Sequence, residues 1–215
     1  MDREDHVDVE KVKRKYRRNV RFYDLFVARP TESLRRRAVA ELRLRPGMRV
    51  LDLGCGTGLS LPLLRAAVGP EGRVYGVDVS PDMLAVGRRR IETAAWNNVA
   101  LIEGSAEEFE LPERVNGMLC FFTHDIMSSP VALSRALRFL EQGARVVAAG
   151  AKLARGWRGW LVNPITVAYS LPAITTLDWR TEPYARMREL LDDFRLEEGL
   201  FGSQYLAGAT YRGRR

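Results

Sequence analysis

Short apolar runs alternate with longer amphipathic stretches along most of this chain. Runs rich in Val, Leu, Ile and Phe predict buried strands at Arg49–Leu53, Val74–Val77, Val99–Ile102, Val115–Phe122 and Arg145–Ala151. Stretches with apolar residues three and four positions apart predict helices near Glu32–Leu44, Pro81–Ala94 and Val131–Leu140. This alternation predicts a doubly wound α/β sheet, mostly parallel and covered by helices on both faces.

The two ends of the chain follow other patterns. Near the start, Val9, Val12, Tyr16 and Val20 recur at helical spacing beside a stripe of Lys and Arg, which predicts a basic amphipathic helix. This helix is either a lid over the domain or also a peripheral contact with an anionic membrane. Near the end, a helix over Pro183–Phe194 precedes two strands, Leu196–Leu200 and Tyr205–Tyr211, which predict a C-terminal antiparallel hairpin.

The length of 215 residues suits one domain. We divide it into N-terminal lid helices (1–44), a core (45–151), a cap insertion (152–182), and a final helix with the hairpin (183–215). The cap insertion is longer than the usual connection between a strand and a helix, so we expect it to be functional.

Charge and cysteine content narrow the function classes. The net charge is +7, but residues 22–211 carry only +1, so we expect no folded groove that tracks nucleic acid. Two cysteines, Cys55 and Cys120, provide neither a disulfide framework nor a metal site. The mixed-charge start of the chain, without an apolar block, predicts a cytoplasmic protein, with membrane-peripheral contact as an option. The oligomeric state stays open.

The most informative segment is VLDLGCGTG, residues 50–58, at a predicted change from strand to helix. Its three glycines, Gly54, Gly56 and Gly58, allow a sharp turn and a close approach to a ligand, and the following helix offers free N–H groups. Twenty residues later the next strand ends in Asp78, where an acid can bind both hydroxyls of a ribose. Together these features predict a nucleoside-type ligand.

Two common nucleotide ligands fit less well. A dinucleotide fingerprint needs glycine at position 59, where this chain has Leu59. A P-loop needs a Lys followed by Ser or Thr after its last glycine, and Leu59-Ser60 supplies neither. NAD and ATP are therefore disfavoured.

Over residues 45–150 the chain resembles the class I S-adenosylmethionine-dependent methyltransferases, through VLDLGCGTG and through GVDVSPDML at Gly76–Leu84. The resemblance implies a Rossmann-like fold and S-adenosylmethionine as cofactor. Where family members usually carry Asp, this chain has Ser105. The resemblance and the strand ends together suggest cofactor contacts from Asp52, Gly54, Cys55, Gly56 and Gly58 (methionine part), Asp78 (ribose), Val79, Met83, Ser105, Ala106 and Glu107 (adenine), and Phe121 and Phe122 (pocket walls).

Methyl transfer requires positioning more than acid–base chemistry. If the acceptor must lose a proton, His124, just after the fourth strand, is the candidate general base. The alternative is that His124 caps the helix that follows.

The residues predicted to bind the methyl acceptor are aromatic. Trp157 and Trp160 in the cap insertion, with Tyr16, are candidates to bind a small hydrophobic or lipid-like acceptor. The segment around Tyr23 resembles bacterial quinone C-methyltransferases and phospholipid N-methyltransferases, in which that Tyr approaches the cofactor. Two alternatives stay open: an RNA methyltransferase that uses the basic termini, and a non-catalytic partner protein that binds S-adenosylmethionine.

Overall fold

The computed structural model describes residues 28–154, 156–157, 159–160, 163–164 and 182–213. The elements along the chain are α1 (28–41), β1 (Arg49–Leu53), α2 (Leu61–Val68), β2 (Arg73–Asp78), α3 (Pro81–Thr93), β3 (Val99–Glu103), β4 (Val115–Phe121), α4 (His124–Ser128), α5 (Pro130–Leu137), β5 (Leu140–Ala151), α6 (Ala185–Leu190), β6 (Asp192–Gly199), a 3₁₀ turn (Leu200–Gly202) and β7 (Gln204–Tyr211).

The seven strands form one sheet in the order β3-β2-β1-β4-β5-β7-β6. Strands β1 to β5 pair in parallel, whereas β7 runs antiparallel between β5 and β6. The prediction of a mostly parallel, doubly wound sheet with a C-terminal hairpin is confirmed. The strand order reverses direction between β1 and β4, and such a switch point leaves a crevice beyond the carboxyl ends of the strands.

Alternation along the strands builds two cores, one on each face of the sheet. In β1, Leu51 and Leu53 belong to the larger core, which also contains side chains from α4, α5 and α6. Val50 belongs to the other core, with side chains from α1 and α2. Since successive strand residues face opposite sides, Asp52 shares the face of Val50 and lies toward α1.

The first predicted helix ends earlier than expected. It was expected over Glu32–Leu44, but the helical residues that the structure describes are 28–41, and the chain turns at Arg43, which has a φ of 53°. Pro46 follows closely, and a proline disfavours helical backbone in the residue before it.

The boundaries around β5 and β6 also differ from the prediction. Helix α5 ends at Leu137, and β5 begins at Leu140 rather than at Arg145, with a register shift against β4. Helix α6 ends at Leu190, so the predicted extension to Phe194 is wrong. Phe194 and Leu196 instead share one face of β6 and pack on the larger core, as two strand residues two positions apart do.

Candidate functional site

The loop between β1 and α2 is held by the end of β2. The backbone N–H groups of Gly54 and Cys55 both donate to the carbonyl oxygen of Val77, at 2.8 and 3.0 Å. Gly54, Gly56 and Gly58 all have left-handed backbone, with φ of 77°, 55° and 77°. The loop therefore needs residues without a Cβ at these three positions.

The three glycines serve different purposes. A Cβ on Gly54 would lie 2.3 Å from Cγ2 of Thr123, so this glycine lets the loop pack on the end of β4. A Cβ on Gly58 would lie 2.5 Å from a side-chain carbon of Leu61. A Cβ on Gly56 would meet no atom within 4 Å. Gly56 thus faces open space, where a bound molecule can approach the backbone.

Asp78, at the end of β2, is hydrogen-bonded to this loop. Its Oδ2 accepts a hydrogen bond from the N–H of Gly56 at 2.8 Å, and its Oδ1 accepts from the N–H of Ser80 at 2.9 Å. Burial raises the pKa of Asp78 to about 6, against the lowering effect of these backbone N–H donors. Each carboxylate oxygen can accept a further hydrogen bond, which suits a ligand with two neighbouring hydroxyl groups.

Asp52, at the carboxyl end of β1, is 1% exposed. Burial raises its pKa to about 7, the nearby charge of Arg35 lowers it, and that of Asp78 raises it. In the part of the chain that the structure describes, Oδ2 of Asp52 has no hydrogen-bond partner. A buried carboxylate oxygen without a donor is costly, so this atom suits a cationic or N–H group of a ligand.

Arg35 on α1 is a site residue that sequence reasoning missed. It is 4% exposed. Its guanidinium donates to Oγ1 of Thr31 at 2.6 Å and lies 4.9 Å from the ring centre of Phe121. A signal was present in the sequence, because Thr31, Arg35, Ala38 and Leu42 follow helical spacing and form a buried stripe. A charged residue on such a stripe indicates a function or a buried partner.

Arg35, Asp52 and the glycine loop line one crevice at the carboxyl edge of β1 and β4, and Asp78 lies outside this lining. Phe122, one of its walls, has a φ of 61°, so it leaves the strand in left-handed backbone and turns toward the crevice side. Such backbone is strained in an aromatic residue, and strain of this kind is concentrated at functional sites. The lining residues are Arg35, Asp52, Gly54, Cys55, Gly56, Thr57, Leu59, Ser60, Phe121 and Phe122. Thr57, Leu59 and Ser60 were not among the predicted site residues.

The residues expected near an adenine lie beyond β2 and β3, outside this lining. Met83 and Ala106 are buried, at 2% and 8% exposure. Oγ of Ser105 accepts a hydrogen bond from the N–H of Glu107, whose carboxylate accepts from the Ser129 hydroxyl at 2.7 Å. Val79 is half-buried beside Asp78. The adenine contacts remain predictions.

His124 begins α4, two residues after the crevice wall Phe122, but it is not in the lining. Its Nε2 bonds to the carbonyl oxygen of Ala151, so Nε2 carries the proton and Nδ1 the lone pair. Its ring packs edge-on against Tyr205, with centroids 5.9 Å apart. Burial lowers the pKa of His124, which favours the neutral ring. Its role as a general base remains a prediction.

The predicted acceptor residues do not converge on the crevice in the described part of the chain. Trp157 and Trp160 are 72% and 88% exposed and do not line it. Tyr16, Tyr23 and the basic N-terminal helix lie outside the described residues, as does most of the cap insertion.

The described residues offer neither a metal-binding cluster nor a membrane-spanning helix. No group of three or more His, Cys, Asp or Glu side chains there could hold a metal ion. No helix in that part of the chain has both the length and the apolar character to span a bilayer.

Comparisons with known proteins agree with this geometry. Residues 50–143 match the family described as a methyltransferase domain. Over 120 residues the chain is 38% identical to the demethylmenaquinone methyltransferase of Symbiobacterium thermophilum, covering 54% of this chain and 47% of the relative. The chain therefore spans about half the length of this curated relative.

Solved structures share the fold. A SAM-dependent methyltransferase from Aquifex aeolicus matches with a TM-score of 0.58 at 21% identity, covering 95% of this chain and 99% of that one. Phosphoethanolamine N-methyltransferase 2 of Haemonchus contortus, solved with S-adenosyl-L-methionine, matches with a TM-score of 0.62 at 16% identity, covering 82% and 52%. Residues 50–143 thus match a methyltransferase-domain family, and the chain shares the fold of these solved methyltransferases.

Proposed function

We propose that this protein transfers the methyl group of S-adenosylmethionine to a small lipid-like acceptor. The observation that carries the proposal is the crevice itself. It combines an open backbone cradle at Gly56, a buried carboxylate at Asp52 and a buried cation at Arg35. A demethylmenaquinone methyltransferase among the relatives supports the choice of a lipid-like acceptor.

The charged groups of the crevice fit the amino-acid end of the cofactor. An α-amino acid carries one ammonium and one carboxylate on the same carbon. We assign the ammonium to Asp52, whose Oδ2 has no donor among the described residues. We assign the carboxylate to Arg35, because a guanidinium makes strong hydrogen bonds to carboxylates. Burial raises the pKa of Asp52 to about 7, whereas the charge of Arg35 has a smaller, opposite effect and favours the carboxylate form.

The remaining cofactor contacts come from residues at the carboxyl ends of β2 and β4. Asp78 accepts hydrogen bonds from the ribose hydroxyls, and its bond to the N–H of Gly56 fixes the loop at the same time. The rings of Phe121 and Phe122, 5.1 Å apart between centroids, form an apolar wall that excludes water from the reacting centre. The adenine then lies toward Val79 and Met83.

When bound, S-adenosylmethionine supplies an electrophilic methyl group on a positively charged sulfur. Asp52 and Arg35 would hold its amino-acid end and Asp78 its ribose, so that the methyl group would pass to the acceptor and S-adenosylhomocysteine would leave. The task of the protein is to hold the acceptor atom in line with that bond. If the acceptor carries a proton, Nδ1 of His124 is the proposed base, since Nε2 is engaged with Ala151.

The test is methyl transfer from S-adenosylmethionine labelled on the methyl group. The acceptors are a demethylmenaquinone in its reduced form, a simple phenol, a phosphatidylethanolamine and RNA. We expect label in the lipid-soluble fraction, and we expect Asp78→Ala to abolish it. Label in RNA alone, or no transfer to any lipid-soluble acceptor, contradicts the proposal.

A further inference from the structure

Three residues from two neighbouring strands hold the side chain of His124. Its Nε2 bonds to the carbonyl oxygen of Ala151, at the end of β5. Its ring lies edge-on to the ring of Tyr205 on β7, with centroids 5.9 Å apart. The third residue is Gly150, which precedes Ala151 on β5. We call Gly150, Ala151 and Tyr205 the His124 seat.

Gly150 provides the space in which the two rings meet. A Cβ at this position would lie 3.1 Å from Cε1 and 3.4 Å from Nε2 of His124, and 3.4 Å from Cε1 of Tyr205. Gly150 and Tyr205 are also direct partners across the antiparallel pair of β5 and β7. Gly150 is not among the glycines with positive φ, so the position uses the missing side chain rather than the backbone freedom of glycine.

The surroundings of the seat are fixed. Tyr205 is 1% exposed, and its ring packs against that of Tyr184, with centroids 5.4 Å apart. The backbone that leads to His124 is also fixed to β5, because the N–H of Phe122 donates to the carbonyl oxygen of Ala149 at 2.8 Å. The ring and the backbone of His124 are thus anchored on the same strand, which leaves the side chain few other orientations.

The seat determines which ring nitrogen of His124 can take up a proton. A carbonyl oxygen only accepts hydrogen bonds, so Nε2 donates to Ala151 and Nδ1 keeps the lone pair. Burial lowers the pKa of His124, whereas the bond to Ala151 and the charge of Asp125 raise it. Burial therefore keeps the ring neutral, and the other two groups stabilise the charged ring once Nδ1 has gained a proton. A general base needs both properties.

We propose that Gly150 and Tyr205 are positioning residues, which hold Nε2 of His124 on Ala151 so that Nδ1 takes a proton from the methyl acceptor. The proton leaves the O–H or N–H group of the acceptor and ends on Nδ1. The ring is then an imidazolium that still donates from Nε2 to Ala151, and Nδ1 afterwards loses its proton to water. The use of this arrangement in methyl transfer rests on the proposed function, whereas the orientation of the ring does not.

The orientation is measured by ¹⁵N–¹H NMR of the histidine rings in the full chain. The sequence contains two histidines, and the spectrum of His124→Gln identifies which signals belong to His124. In the wild type we expect a proton on Nε2 that exchanges slowly with water, and no proton on Nδ1. Gly150→Ala fills the space of the ring, and Tyr205→Leu removes its edge contact. Both variants should lose the slowly exchanging Nε2 proton.

Two matched variants separate positioning from general damage. Tyr205→Phe keeps the ring that contacts His124, so it should restore the wild-type signal that Tyr205→Leu loses. Gly199→Ala adds the same methyl group at another strand glycine, where φ is −126° and a Cβ would meet no atom within 4 Å. It should leave the signals of His124 unchanged.

Methyl transfer and S-adenosylhomocysteine binding are measured on the same variants. We expect kcat to fall about tenfold or more in Gly150→Ala and Tyr205→Leu, because misplacing a reacting group by about 1 Å can cost about 100-fold. The dissociation constant of S-adenosylhomocysteine should not change, because the seat lies outside the crevice lining. A merely structural role would lower the melting temperature without this selective loss of kcat.

A fast-exchanging Nε2 proton in the wild type, or a proton on Nδ1, overturns the inference. So does a wild-type spectrum in both disruptive variants, or a wild-type kcat in a variant that has lost the Nε2 proton. Absence of transfer from the wild type to every acceptor, with the NMR results as expected, removes the proposed function and leaves the positioning of the ring supported.

Discussion

Arg35→Gln is the most discriminating change to the crevice. It removes the buried cation that we assign to the cofactor's carboxylate and keeps a polar side chain in its place. We expect it to weaken binding of S-adenosylhomocysteine, which has an amino-acid end. Binding of 5′-methylthioadenosine should be unchanged, because that nucleoside has the same adenosine and sulfur but neither the carboxylate nor the ammonium.

The size of the effect follows from the burial of Arg35, which is 4% exposed. A hydrogen bond to a charged group contributes about 1.5–3 kcal/mol, which corresponds to about 10- to 150-fold in affinity. The upper part of this range applies where water is excluded, as it is around a guanidinium stacked on the Phe121 ring. For methylthioadenosine we expect a change of less than about twofold, within the usual spread for a remote substitution.

The assay is isothermal titration calorimetry of both ligands with wild type, Arg35→Gln and Arg36→Gln. Arg36 is the matched control, since it is the next residue of α1 but is exposed and pairs with Glu32 in an i,i+4 ion pair. Equal weakening of both ligands by Arg35→Gln would indicate damage to the fold of the crevice. Unchanged binding of S-adenosylhomocysteine would refute the assignment of its carboxylate to Arg35.

Three further predictions concern the loop and the titratable groups. Gly56→Ala should weaken cofactor binding and reduce the free energy of unfolding by about 1–2 kcal/mol. Gly54→Ala should lower the melting temperature far more, since its Cβ would lie 2.3 Å from Cγ2 of Thr123. Thermal denaturation with and without ligand distinguishes the two variants, and equal melting temperatures would contradict the packing argument. Because the pKa of Asp78 is raised to about 6, this carboxylate gains a proton as pH falls, so affinity for S-adenosylhomocysteine should decrease from about pH 7.5 to about pH 5. Calorimetry across this range should find a smaller dependence in Asp78→Asn than in wild type, and the dependence that remains comes from Asp52, with its pKa of about 7. A flat wild-type profile would count against this prediction. His124→Gln should lower the rate of methyl transfer without weakening cofactor binding, and an unchanged rate at every pH would remove the general-base role.

The element order could be predicted from sequence because β1, β2 and β4 are buried on both faces and appear as continuous apolar runs. Element boundaries were harder to predict. The predicted helix over Pro183–Phe194 included Phe194, yet this residue shares one face of β6 with Leu196 and packs on the larger core. The start of β5 at Leu140 depends on its pairing with Val115 of β4, a contact that local sequence does not contain.

The site residues that could be predicted from the sequence are those that belong to local motifs. The left-handed backbone at Gly54, Gly56 and Gly58 is a requirement of the loop itself, so the residue types indicate it. Arg35 lies 17 positions before Asp52 along the chain, and their proximity follows from the packing of α1 on the sheet. No local pattern could predict that Trp157 and Trp160 point to solvent rather than into a pocket.

The measurement that tests the account most directly is calorimetric titration of S-adenosylmethionine into wild-type protein and Asp78→Ala. The account predicts saturable binding at one site in the wild type. It predicts at least about 100-fold weaker binding in the variant, because two hydrogen bonds from the ribose to a charged group are lost. An equal dissociation constant for the two proteins would contradict the location of the cofactor at the carboxyl ends of β1 and β2.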